Sequence, residues 1–162
     1  MKKIIFLFLS LIITNSLALS PYEGKYELYA DTKMGNLKIG TATLNLSVND
    51  DQFIFTTDAK TESLWKALYD YSRSEKSTGN EVDGQVINNY FSVIEKIKDE
   101  IKKNYEINIA TDKNYAISST GEQWEIKPGL LVDPLSVYLA LSNDMLKPVS
   151  YTHLTLPTIL LV

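Results

Sequence analysis

Two carboxylate pairs and one acid–hydroxyl pair are the residues whose spacing suggests chemistry. Asp50 stands beside Asp51, and Glu122 lies three residues before Glu125. Paired carboxylates do acid–base work when one is buried with a raised pKa and both face a substrate. Asp50 and Asp51 instead fall in Asn49-Asp50-Asp51-Gln52, a predicted hairpin loop that leaves both solvated. Glu122 and Glu125 flank Trp124 in the manner of an exposed strand. Asp133 and Ser136 form the third pair. Asp133-Pro134, however, reads as a helix start, where the carboxylate caps free N–H groups and proline suits the first helical position. On that reading, capping accounts for the aspartate in full.

The missing residue types say more than the pairs do. Cysteine is absent and histidine occurs once, at His153. Between Leu19 and Pro148, therefore, Ser–His–Asp and Cys–His machinery, thiolate chemistry and ordinary zinc or copper ligation all lack donors. No glycine-rich phosphate loop or calcium-loop spacing occurs. On the residues present the sequence points to a protein that is not an enzyme, with no catalytic residues, no metal and no cofactor; a hydrolase whose key residues lie in a missing C-terminal part is the reading left open.

The two ends have characters of their own. Lys2 and Lys3 precede the apolar run Ile4 to Ile13, followed by the polar Thr14, Asn15 and Ser16. A run of about ten residues is half of what a membrane span needs. Small residues at Ser16 and Ala18 fit cleavage before Leu19, so residues 1–18 are expected to be a signal peptide and the product periplasmic. With no cysteine there is neither a lipid-attachment site nor a disulfide. At the other end, Val149 to Thr158 (VSYTHLTLPT) matches, residue for residue, the translation of a transposase sequencing adapter. Residues 149–162 are thus expected to be a non-native tail, His153 with them, and residues 19–148 a single β-rich domain incomplete at its C-terminal end.

The formal net charge is −4; without Lys2 and Lys3 the bases fall to 14 against 20 acids, a net of −6. Nucleic acid and anionic membrane surfaces both call for a basic footprint, so neither is an expected partner.

The elements that must position any site are mostly strands. Tyr26, Leu28 and Ala30 alternate with polar neighbours, as a half-buried strand requires. In the next segment Leu37 and Ile39 are apolar at odd positions, but Ala42, Leu44, Leu46 and Val48 at even ones. The phase flips at Gly40, which predicts a bulge there and a bent strand. Phe53, Phe55, Thr57 and Ala59 share one face of a third strand. Glu62 to Tyr71 changes to a helical period through Leu64, Trp65, Leu68 and Tyr69, with Ser63 a possible cap. Ser72 to Asn80 is polar on both faces, so it is expected as an exposed strand beside an Asp83-Gly84 turn. Val86 to Ala110 fits either a helix or a hairpin; β-branched and aromatic residues favour a hairpin turning near Lys98-Asp99. Tyr115 to Ser118 reads as a strand, and Gly121 and Pro128-Gly129 bracket Trp124 and Ile126. The helix from Asp133 presents Leu135, Tyr138, Leu139 and Leu141 through about Met145. The expected fold is mainly β, a curved antiparallel sheet (open or a half barrel) with one or two short helices.

The order of these elements resembles the exported bacterial domain-of-unknown-function family 3108. The resemblance rests on Tyr26-Glu27-Leu28-Tyr29, Ile39-Gly40-Thr41-Ala42, the strand ending Thr57 to Lys60 and the Leu64-Trp65 turn. Ser72-Arg73-Ser74-Glu75 and Asp133-Pro134-Leu135-Ser136 complete it. It covers nearly all of residues 21–147 and implies further strands after the Asp133 helix. It brings no catalytic residues.

Ten tyrosines and two tryptophans could line a curved sheet and bind an acyl chain or a sugar face, or simply pack as good β formers. The residues expected to line a pocket are Phe53, Phe55, Trp65 and Tyr69, where one sheet face and one helix would close. Gly40, Asp133 and Pro134 are expected to be structural. The functional expectation is a non-catalytic periplasmic domain that binds or carries an apolar ligand such as a lipid. The alternative is an envelope scaffold holding a protein or polysaccharide partner through a polar edge strand near Arg73. Nothing in the sequence requires association with a membrane.

Overall fold

The computed structural model describes residues 19–33, 35–110, 113–126 and 133–146. The expected leader, the Pro128-Gly129 turn and the tail from 149 lie outside them. The described residues form one antiparallel meander in which each strand pairs with its neighbours in sequence. The strands are β1 (Tyr22–Thr32), β2 (Gly35–Asn49), β3 (Gln52–Thr61), β4 (Tyr71–Val82), β5 (Gln85–Ile97), β6 (Glu100–Ala110), β7 (Tyr115–Ser118) and β8 (Gln123–Glu125). Helix α1 (Ser63–Leu68) joins β3 to β4, and α2 (Ser136–Leu146) follows the sheet. The sheet is open, with β1 and β8 as its edges. This is the mainly β, antiparallel, two-helix architecture that the alternation called for.

The turns explain the register. Asp83-Gly84 and Lys98-Asp99 both have positive φ at both central residues, as two-residue hairpins between right-twisted strands require. The hairpin reading of Val86 to Ala110 therefore holds. Leu28 pairs with Gly40 and Tyr29 with Lys38, which leaves Ile39 as an extra residue beside Gly40. That is the bulge implied by the change of phase. A side chain at Gly40 would lie 2.1 Å from the carbonyl oxygen of Lys60, so the close approach of β3 demands glycine. Further register shifts lie between Thr78 and Gly79 and between Glu95 and Lys96. Bulges bend the strands that carry them.

The core lies on one face of the sheet, under α2. Leu46, Phe53, Phe55, Phe91 and Val93 pack there with Leu19, Leu135 and Leu139. A smaller cluster joins Ile109, Ala116 and Ile126.

Four expectations need correcting. The polar segment Ser72 to Asn80 is no exposed strand: β4 is central, paired along its length to β3 and β5, with Ser77 and Gly79 buried. Its inward residues there are small, so they fit beneath the neighbouring rings without an apolar side chain of their own. Leu64 and Leu68 are 82% and 71% exposed, so the helical period of α1 does not mark a core-facing stripe. The capping position of α1 is Glu62, one residue before Ser63, and Glu62 makes no side-chain capping bond. On α2, Leu135 and Leu139 are buried as expected, but Tyr138 is 65% exposed.

Candidate functional site

Cross-strand register arranges the inner face in rows. One row runs Val48, Phe53, Gly79, Asn88, and the next runs Leu46, Phe55, Ser77, Phe91, Ile107. These two rows lie under α2. Beyond them come Gly24, Leu44, Thr57, Glu75, Val93, Tyr105 and then Tyr26, Ala42, Ala59, Arg73, Glu95, Lys103. The face thus has a covered half and an open half, with the Glu75 row at the border.

The covered half contains a buried polar cluster of Ser77, Asn88, Asp133 and Ser136. One oxygen of Asp133, Oδ1, accepts the backbone N–H groups of Leu135 and Ser136, both at 2.8 Å. Ser136 Oγ in turn accepts the backbone N–H of Asp133 at 3.1 Å, a reciprocal capping box with serine in place of the usual Glu or Gln. The backbone N–H of Val137 donates to the Asp133 carbonyl at 3.1 Å, so the turn through Pro134 leads directly into α2, which begins at Ser136. Capping uses only one carboxylate oxygen. The other, Oδ2, accepts Ser77 Oγ at 2.7 Å and the Asn88 side-chain amide. The view that capping accounts for Asp133 in full is therefore corrected: the same carboxylate ties α2 to β4 and β5.

Burial holds the Asp133 carboxyl above its ordinary value of 3.8, opposed by the hydrogen bonds from Ser77, Ser136 and Leu135. The Asn88 amide also donates to Ser136 Oγ at 2.5 Å, while Asn88 Oδ1 is buried without a partner. The cluster thus joins β4 and β5 to α2 through one buried carboxylate oxygen. Its geometry is that of an anchor.

The open half carries charge. Arg73 donates to Glu75 at 2.6 Å and to Glu95 at 3.1 Å, and Thr57 Oγ1 donates to the second oxygen of Glu75 at 3.1 Å. The bond to Glu75 raises the guanidinium pKa further, so Arg73 is a permanent cation. Lys103 lies over the Tyr105 ring, 5.0 Å from its centroid. Burial, reinforced by Glu95, raises the Tyr71 phenol above 10.0, and burial does the same to Tyr105. The side chains of Arg73, Glu75 and Glu95 remain 33%, 16% and 23% exposed, and Tyr22 and Tyr26 are nearly half exposed.

The four residues expected to share a pocket are not brought together. Phe53 and Phe55 are 1% and 4% exposed and belong to the core beneath α2. Trp65 is half-buried at the other end of the sheet, and Tyr69 is 48% exposed and stacked on Tyr71 at 6.0 Å. Arg73, expected near an edge, lies mid-sheet. Asp50, Asp51, Glu122 and Glu125 are exposed, which suits their plain reading. Ser77 and Asn88 are absent from the sequence reading because neither breaks nor follows an apolar pattern. Parity with Arg73 and Glu75 is the only signal that puts Ser77 on the inner face.

No family model, curated protein or solved structure matches the chain.

Proposed function

We propose that this chain is a non-catalytic, exported binding domain of the bacterial cell envelope, and that it holds an amphipathic, lipid-like ligand on the open half of the inner face. One observation carries the reading. The row Tyr26, Ala42, Ala59, Arg73, Glu95, Lys103 sets an apolar wall beside a half-buried ion-paired floor on a single surface. Small side chains at Ala42 and Ala59 leave room between Tyr26 and Arg73, and Leu28 extends the wall along β1. A ligand with an apolar body and a polar end fits this division, since binding surfaces combine apolar lining with a few placed polar groups. The ligand surface thus lies further along the same strands than Phe53 and Phe55. The resemblance to domain-of-unknown-function family 3108 belongs to the same proposal; it supports export and a sheet fold and assigns no site.

The test begins with protein exported from its own gene and analysed by native mass spectrometry, then stripped and titrated with a fluorescent fatty acid. Saturable binding is expected, weakened at least about tenfold by Ala59→Trp, which fills the gap in the row while the melting temperature stays close to that of the parent. Absence of both a co-purified amphiphile and saturable binding refutes the reading.

A further inference from the structure

The chain on the N-terminal side of β1 crosses the covered end of the sheet and is fixed there by both parts of one residue. The Leu19 side chain is 8% exposed and packs in the core with Leu46, Phe53 and Leu139. Its backbone nitrogen lies 2.7 Å from Glu81 Oε2, near the end of β4. Ser20 and Pro21, which follow it, are exposed. Leu19 is therefore an apolar plug whose nitrogen faces a carboxylate, on the far side of β2 and β3 from the strand that it leads into.

We infer that Glu81 is the receptor for the processed N-terminus, and that the mature protein begins at Leu19. Ser16 and Ala18 supply the small side chains a signal peptidase requires before the cut. Hydrolysis of the Ala18–Leu19 bond adds the hydroxyl of water to the Ala18 carbonyl, giving a carboxylic acid, and leaves its hydrogen on the Leu19 nitrogen. The resulting amine takes up a proton from solvent and becomes an ammonium, while the Ala18 acid loses one. An amide N–H offers Glu81 one neutral donor, whereas the ammonium offers three and a full charge, and charge-assisted hydrogen bonds are about twice as strong as neutral ones. Removal of the leader thus strengthens the contact that seats Leu19 in the core. Processing and folding are linked at a single atom.

The inference shares export with the proposed function but does not use the open half of the inner face. The first experiment expresses the whole gene with its own leader in a Gram-negative host and reads the N-terminus of the exported protein by intact mass and terminal sequencing. A start at Leu19 is expected. A start elsewhere in an exported protein overturns this inference alone; an uncut chain retained in the cytoplasm overturns it together with the export that the proposed function assumes. The second experiment compares melting temperatures of the processed protein with a free and with an acetylated Leu19 nitrogen, each with Glu81 or Glu81→Gln. Acetylation and Glu81→Gln are each expected to lower the melting temperature by about 3–6 °C, and together by little more than either alone. Additive effects, or no effect of acetylation, overturn the assignment of Glu81.

Discussion

The covered and open halves of the inner face are built on the same strands yet hold together in different ways. Along β3 the inward residues change from Phe53 and Phe55 to Thr57 and Ala59; along β4 they change from Gly79 and Ser77 to Glu75 and Arg73. In the covered half the small residues of β4 make room for the Phe53 and Phe91 rings and for the Asp133 carboxylate. In the open half long charged side chains satisfy one another and remain partly in water. Hydrogen-bonded ladders are common to both, so the difference lies in what covers them. Burial stabilises the first half, whereas exposed and half-exposed ion pairs contribute little to the second. A surface held lightly is the one free to exchange its contacts for those of a ligand.

The largest expected effect is that of Asp133→Ala. It removes the helix cap and strands the buried donors of Ser77 and Asn88, for a loss of about 3 kcal/mol in urea unfolding. Asp133 should also shape the pH dependence. Its folded pKa is raised by burial, so the folded state binds the proton more readily than the unfolded chain. Its contribution therefore falls as pH rises from the ordinary carboxylate value of 3.8 through the raised folded value. The corresponding slope should vanish in Asp133→Ala. A loss no greater than that of an open-half variant would dissolve the distinction between the halves.

Glycines near bulges make a matched pair. A side chain at Gly79 would meet the Ile87 carbonyl oxygen at 2.1 Å and the Phe53 ring at 2.8 Å; at Gly40 it would meet the Lys60 carbonyl oxygen at 2.1 Å. Backbone cannot step aside as a side-chain end can, so each alanine variant should cost about 2–3 kcal/mol. Gly79→Ala should be the worse, because it also displaces a core ring. Equal losses would place the strain in the ladder alone. By contrast, Arg73→Met should cost only about 1 kcal/mol, since Glu75 and Glu95 keep access to water.

The same contrast decides what was legible in the sequence. Strand periodicity, the change of phase at Gly40 and the Asp133-Pro134 helix start are local patterns, and each appears in the fold. The position of β4 is not local. Ser72 to Asn80 reads as exposed because alternation scores side-chain polarity, whereas the strand is buried by rings that come from β3 and β5. Alternation places Phe53 and Phe55 on one face, but periodicity cannot tell a ring that fills a core from one that lines a pocket. The second role of Asp133 needed its partners Ser77 and Asn88, which lie 56 and 45 residues away in the chain.

The smallest expected effect concerns the hairpin turns at opposite ends of the sheet. Beyond the covered half β4 and β5 turn through Asp83-Gly84; beyond the open half β5 and β6 turn through Lys98-Asp99, with φ of 51° and 64°. Two residues with side chains thus occupy the left-handed region at the open end, where glycine has no Cβ clash, asparagine and aspartate lose less than other residues, and a residue such as lysine loses about 1 kcal/mol. The Lys98 backbone N–H also donates to the Asp70 carbonyl at 2.8 Å, which ties this turn to the segment after α1. That bond fixes Lys98 and leaves Asp99 the freer position to change. Asp99→Gly should therefore stabilise the protein by about 0.5 kcal/mol, the relief of strain exceeding the added freedom of the unfolded chain. Hydrogen exchange should slow at the end of β5 and the start of β6, with no change around Asp133. Slowing across both halves would mean that they open as one unit and that the open half is not held more lightly.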